Sequence, residues 1–257
     1  MFPEKIKDRE QYIEDQVLAG NFEASWVDLC YVVDNKTVRL RVMHDALRVD
    51  GVRVNVTANF QQKLADLFDA SLLTPMIADL IFVNAIRKAE PRPQPISSTV
   101  SSMLKHNDAV QKQIGTGKSL ASTVGKHWVL DKQLETKKNS ACNYGWHFSG
   151  TTFQGIRGYP ASSSTVLSLK NISVIQPNAT AHDPLHSDYS QICQLVAQQC
   201  WVDDQEMRFS ALLKDLTLGH LVSHQGPLKI DRQPGTVPTV GQIVIFPVDI
   251  SGSDNDA

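Results

Sequence analysis

The chain has 257 residues, 42% of them hydrophobic and 20% charged, with a formal net charge of -2. That length suits one large domain or two modest ones, each with a real core. A charge so close to balance leaves no broad electrostatic footprint for DNA, RNA or anionic lipid, so neither nucleic acid nor a membrane is an expected partner.

The N-terminal stretch MFPEKIKDREQYIEDQVLAGNF is charged and amphipathic, and it lacks the apolar run and small-residue cleavage site of a secretory signal. No segment reaches about 18 uninterrupted apolar residues, the minimum for a membrane-spanning helix. A cytoplasmic location is expected, with non-classical export or carriage within a larger particle left open. Cys30, Cys142, Cys193 and Cys200 form no C-x-x-C pair and are too scattered for a disulfide framework. They read as free buried thiols.

In chain order, Glu4 to about Leu18 carries a short amphipathic helix ending near Gly20. SWVDLCYVVDNKTVRLRVMHDAL then predicts a β-hairpin turning at Asp34-Asn35, and LRVDGVRVNV repeats the signal around Asp50-Gly51, giving a meander of about four strands. ANFQQKLADLFDASLL spaces Phe60, Leu64, Leu67 and Phe68 at helical intervals. In TPMIADLIFVNAIRKAE, Thr74 fits an N-cap and Pro75 the first helical position of a buried helix. PRPQPISS, residues 91–98, cannot continue a helix and reads as an extended linker. STVSSMLKHNDAVQKQIG predicts a further helix stopped by Gly115 and Gly117, and HWVLD, CNYGWHF and STVLSLKNISVIQP follow as strands. DYSQICQLVAQQC predicts a helix, on which Cys193 and Cys200 share a face about 10 Å apart, too far to bridge. A short strand around CWVDD, a helix in MRFSALLKDLTLGHLVS, a closing strand QIVIFPVDI and a frayed tail SGSDNDA complete the chain. The strand, Asp-turn, strand, helix pattern of residues 46–68 recurs weakly in residues 200–216.

Three stretches carry polar chemistry. QIGTGKSL resembles a phosphate loop, but Lys112 occupies the place of its first glycine and a helix precedes it, so it reads as a basic connection. In VGKHWVLDK, period-2 alternation puts Lys126, Trp128 and Leu130 on one face, where Lys126 either is solvated or binds an anionic substrate group. In ACNYGWHF, the same alternation sends Cys142, Tyr144, Trp146 and Phe148 to one face and Asn143, Gly145 and His147 to the other. This strand is either core or the wall of a cleft into which His147 projects; Cys142 reads as an inert thiol rather than a nucleophile.

TAHDPLHSDYSQ, residues 180–191, concentrates His182, His186, Asp188, Tyr189 and Ser190. Pro184 separates the two histidines, so they cannot be a one-face helical metal pair. Asp188 fits an N-cap with Gln191 completing a capping box. Three readings stay open. One is a capped helix with exposed histidines. Another is a zinc corner of His147, His182, His186 and Asp188. The third is metal-free acid–base or nucleophilic chemistry, with His147 or His182 as base, Asp188 orienting it, and Tyr189 or Ser190 as nucleophile or proton donor.

The run YGWH (144–147), followed by VIQP (174–177), His182 and DYS (188–190), resembles an uncharacterised bacterial protein family in which a Y-G-W-H strand precedes an I-Q-P segment and an H-x5-DYSH helix start. The likeness extends over roughly residues 71 to 230 and includes LLTPMIADLIF and GKHWVLD. This chain departs from it at Gln191, where the pattern has histidine, and in the additional His186. The resemblance implies a site location rather than a reaction: Lys126, Tyr144, His147, Gln176, His182, Asp188, Tyr189 and Ser190 converge.

The expected fold is α+β: an N-terminal hairpin-and-helix lobe over residues 1–90, a linker at 91–98, a mixed α/β lobe at 99–250 and a disordered tail at 251–257. The expected function is a hydrolase or lyase acting on a polar polymer, a cell-wall glycan or peptide. His147, His182, Asp188, Tyr189 and Ser190 supply the chemistry, while Lys126, Tyr144, Trp146 and Gln176 bind substrate. No cofactor is expected, zinc being the alternative. The competing class is a non-catalytic binding or structural component of a larger assembly, and the oligomeric state is left open.

Overall fold

The computed structural model describes residues 1–122, 124–149, 162–163 and 172–239. The expected closing strand at 242–250, the tail at 251–257 and residues 164–171 of the expected strand before Ile172 lie outside these. The fold is α+β, with five α-helices among the described residues. In chain order its elements are α1 (Ile6–Leu18), β1 (Trp26–Val33), β2 (Lys36–Met43), β3 (Arg48–Val49), β4 (Val52–Arg53), α2 (Ala58–Leu67), β5 (Ala70–Leu72), α3 (Pro75–Asn84), β6 (Arg87–Lys88), α4 (Val100–Ile114), β7 (Ala121–Ser122), β8 (Lys126–Val129), β9 (Ala141–Ser149), β10 (Ser162–Ser163), β11 (Ile172–His182), β12 (Gln191–Ile192), β13 (Leu195–Val202), β14 (Gln205–Arg208) and α5 (Phe209–Lys214).

Local chemistry accounts for many of these boundaries. Thr57, Thr74 and Thr99 cap α2, α3 and α4, each hydroxyl accepting from the backbone N–H three residues on, and Pro75 occupies the first turn of α3. Such caps each contribute about 1 kcal/mol. Asp34-Asn35, Asp50-Gly51 and Asp203-Asp204 close two-residue hairpins with both central residues at positive φ, the requirement of a primed turn.

Two larger sheets organise the chain. One has the order β1-β2-β13-β14, with β5 also pairing β13; the other has the order β10-β11-β9-β8-β12. Bridges at Leu73–Val129 and Asn55–Ile192 join their neighbourhoods. β2 and β13, from opposite sides of the Pro-rich stretch, are antiparallel neighbours, and one apolar cluster runs from Phe2 to Leu228. The 91–98 stretch is itself tied down: Tyr189 Oη donates to the Gln94 carbonyl at 2.9 Å, and Tyr189 N–H donates to the Ser97 carbonyl at 3.0 Å.

Three sequence expectations are corrected. DYSQICQLVAQQC is not a helix: residues 191–192 and 195–202 are strands. Its short apolar run fits either element, and pairing on both sides, to β2 and β14, decides for strand. The helical spacing assumed for Cys193 and Cys200 therefore does not exist, although both are free and buried. The meander is also interrupted, because β3 and β4 form their own two-stranded sheet apart from β1 and β2. Finally, the helix of MRFSALLKDLTLGHLVS stops after six residues at Lys214, followed by a turn and a short 3-10 segment at Gly219–Leu221.

Candidate functional site

The site begins with a fault in β9. Gly145 has φ +130 and Trp146 has φ +56, so the chain leaves the regular pleat between Tyr144 and His147. Glycine is needed there: a Cβ would lie 3.1 Å from His127 Cδ2 and 3.3 Å from the Gly125 carbonyl. The fault overturns the simple alternation expected for this strand. Tyr144 and His147, three apart, meet on one oxygen of Asp79: Tyr144 Oη donates to Asp79 Oδ1 at 2.7 Å, and His147 Nε2 lies 2.5 Å from the same atom. Trp146 turns the other way, joining Phe148, Ile175 and Tyr189 in a separate apolar cluster.

Asp79 is the single charge in the otherwise apolar helix α3 and is fully buried. A carboxylate in that setting must be paired or hydrogen-bonded. Burial alone would raise its pKa. Hydrogen bonds from His147 and Tyr144, with the charge of His147 and the nearby His224, outweigh that and hold it below the ordinary value. The His147 ring stacks on Phe82 at 5.3 Å, fixing its plane. On the other side of the carboxylate, His224 Nε2 is 3.7 Å from Oδ2, and this histidine is partly exposed. His127, the cross-strand neighbour of Tyr144, has its pKa pushed down to about 3, first by burial and then by His147, so it is neutral.

A cavity of about 120 Å³ opens beside this centre, lined among others by Asp131, Tyr144, Asn178, Ser223 and His224. Behind its wall Cys142 Sγ donates to Asn178 Oδ1 at 2.6 Å, and the Asn178 amide donates to Asp131 Oδ2. Burial raises the Cys142 pKa well above the usual thiol value, which fits an inert thiol.

A second centre forms around residues 188–190. Lys126 Nζ lies 3.0 Å from Asp188 Oδ2, and Asp188 Oδ1 accepts from Ser190 N–H at 2.8 Å and Ser190 Oγ at 2.6 Å. The Gln191 side chain accepts from Asp188 N–H at 2.5 Å, so the bonds of a capping box form without the helix they normally start. Burial would raise the Asp188 pKa, but Lys126 and the two Ser190 bonds lower it overall. Trp146 lies 5.8 Å from Lys126 Nζ, and its ring is 6.0 Å from Tyr189 and 6.1 Å from the buried His106. His182, half-buried, packs edge-on to Trp128 at 5.9 Å; burial, then Lys126 and His186, lower its pKa.

The residues expected to converge are therefore divided between two centres. Tyr144 and His147 belong to Asp79. Lys126, Trp146, Asp188, Tyr189 and Ser190 form the other, bordered by His182 and the exposed His186. Gln176 pairs with Gly145 in the β9–β11 register, and its amide turns to the Pro177 carbonyl. Among the described residues no group of three or more His, Cys, Asp or Glu side chains is placed to hold a metal ion. No helix among them is long and apolar enough to cross a membrane.

Sequence reasoning missed Asp79, His224, His127 and His106. Asp79 had a signal, a lone carboxylate inside TPMIADLIFVN, whereas His224 in LVSHQG had none. Comparisons with protein-family models, with curated proteins and with solved structures return no match for this chain.

Proposed function

We propose that the protein is a hydrolase or lyase acting on a polar polymer, with its acid–base centre at Asp79. The reading rests on one observation: Tyr144 and His147 converge on one oxygen of a buried carboxylate whose other oxygen is 3.7 Å from the partly exposed His224. In this reading His224 is the catalytic residue, because it lines the cavity and reaches a bound group. It takes a proton from the attacking water, or from the substrate carbon in a lyase, and returns it to the leaving group. Asp79 orients that ring and stabilises its protonated form, the role expected from sequence for Asp188. Tyr144 and His147 are positioning residues that hold the carboxylate ionised. A cavity of about 120 Å³ admits one substituent or chain end of the polymer rather than its length.

The test is turnover of cell-wall glycan and peptide substrates by the wild type, His224→Gln and His147→Gln. A general acid–base group is worth about 10²–10⁴ in rate. His224→Gln is expected to lose that much with its fold intact. Equal turnover by wild type and His224→Gln contradicts the proposal.

A second reading, a non-catalytic binding or structural component, draws on the other centre. The Asp188, Tyr189 and Ser190 side chains are committed to a turn that ties residues 188–191 to Lys126 and Gln94. Under that reading Ser190→Ala lowers stability, and neither histidine substitution changes any turnover.

A further inference from the structure

On the side of the β8–β9 pair that carries Lys126, several polar groups are buried without partners. Asn143 is fully buried, and neither Nδ2 nor Oδ1 makes a hydrogen bond. The same is true of Trp146 Nε1 and Asn55 Oδ1, in residues 3% and 2% exposed. Native interiors rarely leave such atoms unpaired, because each has given up its bond to water without replacement. Trp146 and Asn55 adjoin one ion pair, and Asn143 lies on the same face of the strand pair. Asn143 stands opposite Trp128 in the strand register, two residues from Lys126 and on its face. Trp146 lies 5.8 Å from Lys126 Nζ, and Asn55 Nδ2 donates at 2.5 Å to the carbonyl of Asp188, whose carboxylate holds that lysine. Trp146 also keeps φ +56, a conformation costly for a bulky side chain, and it is this that turns the indole toward Lys126.

We infer that this face is a binding site for a hydroxyl-rich ligand, a sugar or polyol, whose hydroxyls complete the hydrogen bonds of Asn143, Trp146 and Asn55 beside the Lys126–Asp188 pair. The unpaired atoms are two donors, Asn143 Nδ2 and Trp146 Nε1, and two acceptors, Asn143 Oδ1 and Asn55 Oδ1. A hydroxyl supplies both functions from one atom. The ion pair is neutral as a unit, so an ionised ligand finds no free counter-charge there. Half-buried His182 packs on Trp128, the strand partner of Asn143, and leads into the largely exposed turn at 183–186, the side from which a ligand would enter. The site is separate from the Asp79 centre, so its failure leaves the acid–base reading untouched, and the reverse also holds.

The test uses the full-length protein, ¹⁵N-labelled, titrated with methyl β-glucoside and, as a ring without hydroxyls, tetrahydropyran. The indole Nε1–H signal of Trp146 is assigned by its loss in Trp146→Phe. A saturable shift with the glucoside and none with tetrahydropyran is expected, with affinity falling about tenfold or more in Asn143→Leu. That variant keeps or raises Tm, since it removes an unpaired amide and retains the side chain's bulk. If Asn143→Leu fails to fold, calorimetric titration of Trp146→Phe makes the same comparison. No shift with the glucoside, or affinity unchanged in the variant, overturns the inference and leaves these atoms to ordered water.

Discussion

At the scale of single residues, the interior holds ionisable groups in opposite states, and pH separates them. His106 and His127 are buried and neutral, with pKa values pushed down to about 4 and about 3, in each case mainly by burial. Their ordinary value is 6.5. Between folded and unfolded values the unfolded chain binds protons that the fold excludes, so stability is full above pH 6.5 and falls as pH drops. At 1.36 kcal/mol for each pKa unit, His106 alone accounts for a loss of about 3 kcal/mol by pH 4. Urea unfolding of His106→Phe is therefore expected to show a shallower decline between pH 7 and pH 4 than the wild type, and an equal decline would refute this. Asp79 and Asp188 have depressed pKa values, so their contribution is present above the unfolded carboxylate value and disappears as pH falls through the folded one. Stability is therefore drawn down by acid over two pH ranges, through the histidines first and the carboxylates below them.

At the scale of elements, one strand fault decides what can act together. Gly145→Ala puts a Cβ against His127 Cδ2 and the Gly125 carbonyl at positive φ, and is expected to cost about 1–3 kcal/mol. Thermal unfolding measures that cost, and loss of the wild-type His147 NMR signature reports the broken contact with Asp79. A Gly145→Ala protein as stable as wild type would show that the fault is incidental. By contrast, Asp204→Gly relieves a left-handed residue in the β13–β14 turn and is expected to gain about 0.5–1 kcal/mol, read as a higher urea midpoint. These two elements also mark what the sequence disclosed. Turn residues at 34–35 and 50–51, and the threonine cap at 74, act through neighbours in the chain, so they were legible. The strand at 195–202 was not, because its apolar spacing suits a helix equally and pairing with β2, more than 150 residues away, settles it. The division of the site was hidden for a related reason. Alternation sends Tyr144 and His147 to opposite faces unless the positive φ values at 145 and 146 are known. Asp79, by comparison, stood in plain view as a charge within an apolar helix.

At the scale of the whole molecule, the two halves of the chain share one sheet and one apolar cluster. Leu40 on β2 is fully buried and stands opposite Cys200 on β13. Leu40→Ala is expected to cost about 2–5 kcal/mol and to lower a single calorimetric transition, since the same sheet contains strands from both sides of the 91–98 stretch. Two separate transitions would show independent lobes. This shared frame holds α3 against β9 and brings the 223–225 segment to the same carboxylate, so the Asp79 centre depends on the assembled fold rather than on a local motif. The most direct measurement of that centre is the rate of cell-wall glycan or peptide cleavage by Asp79→Asn beside wild type, with both confirmed folded by near-ultraviolet circular dichroism. The substitution keeps the shape but removes the charge that orients His224 and stabilises its protonated form. A loss of about 10²–10⁴ in kcat is predicted. Equal kcat in the two proteins would contradict the account.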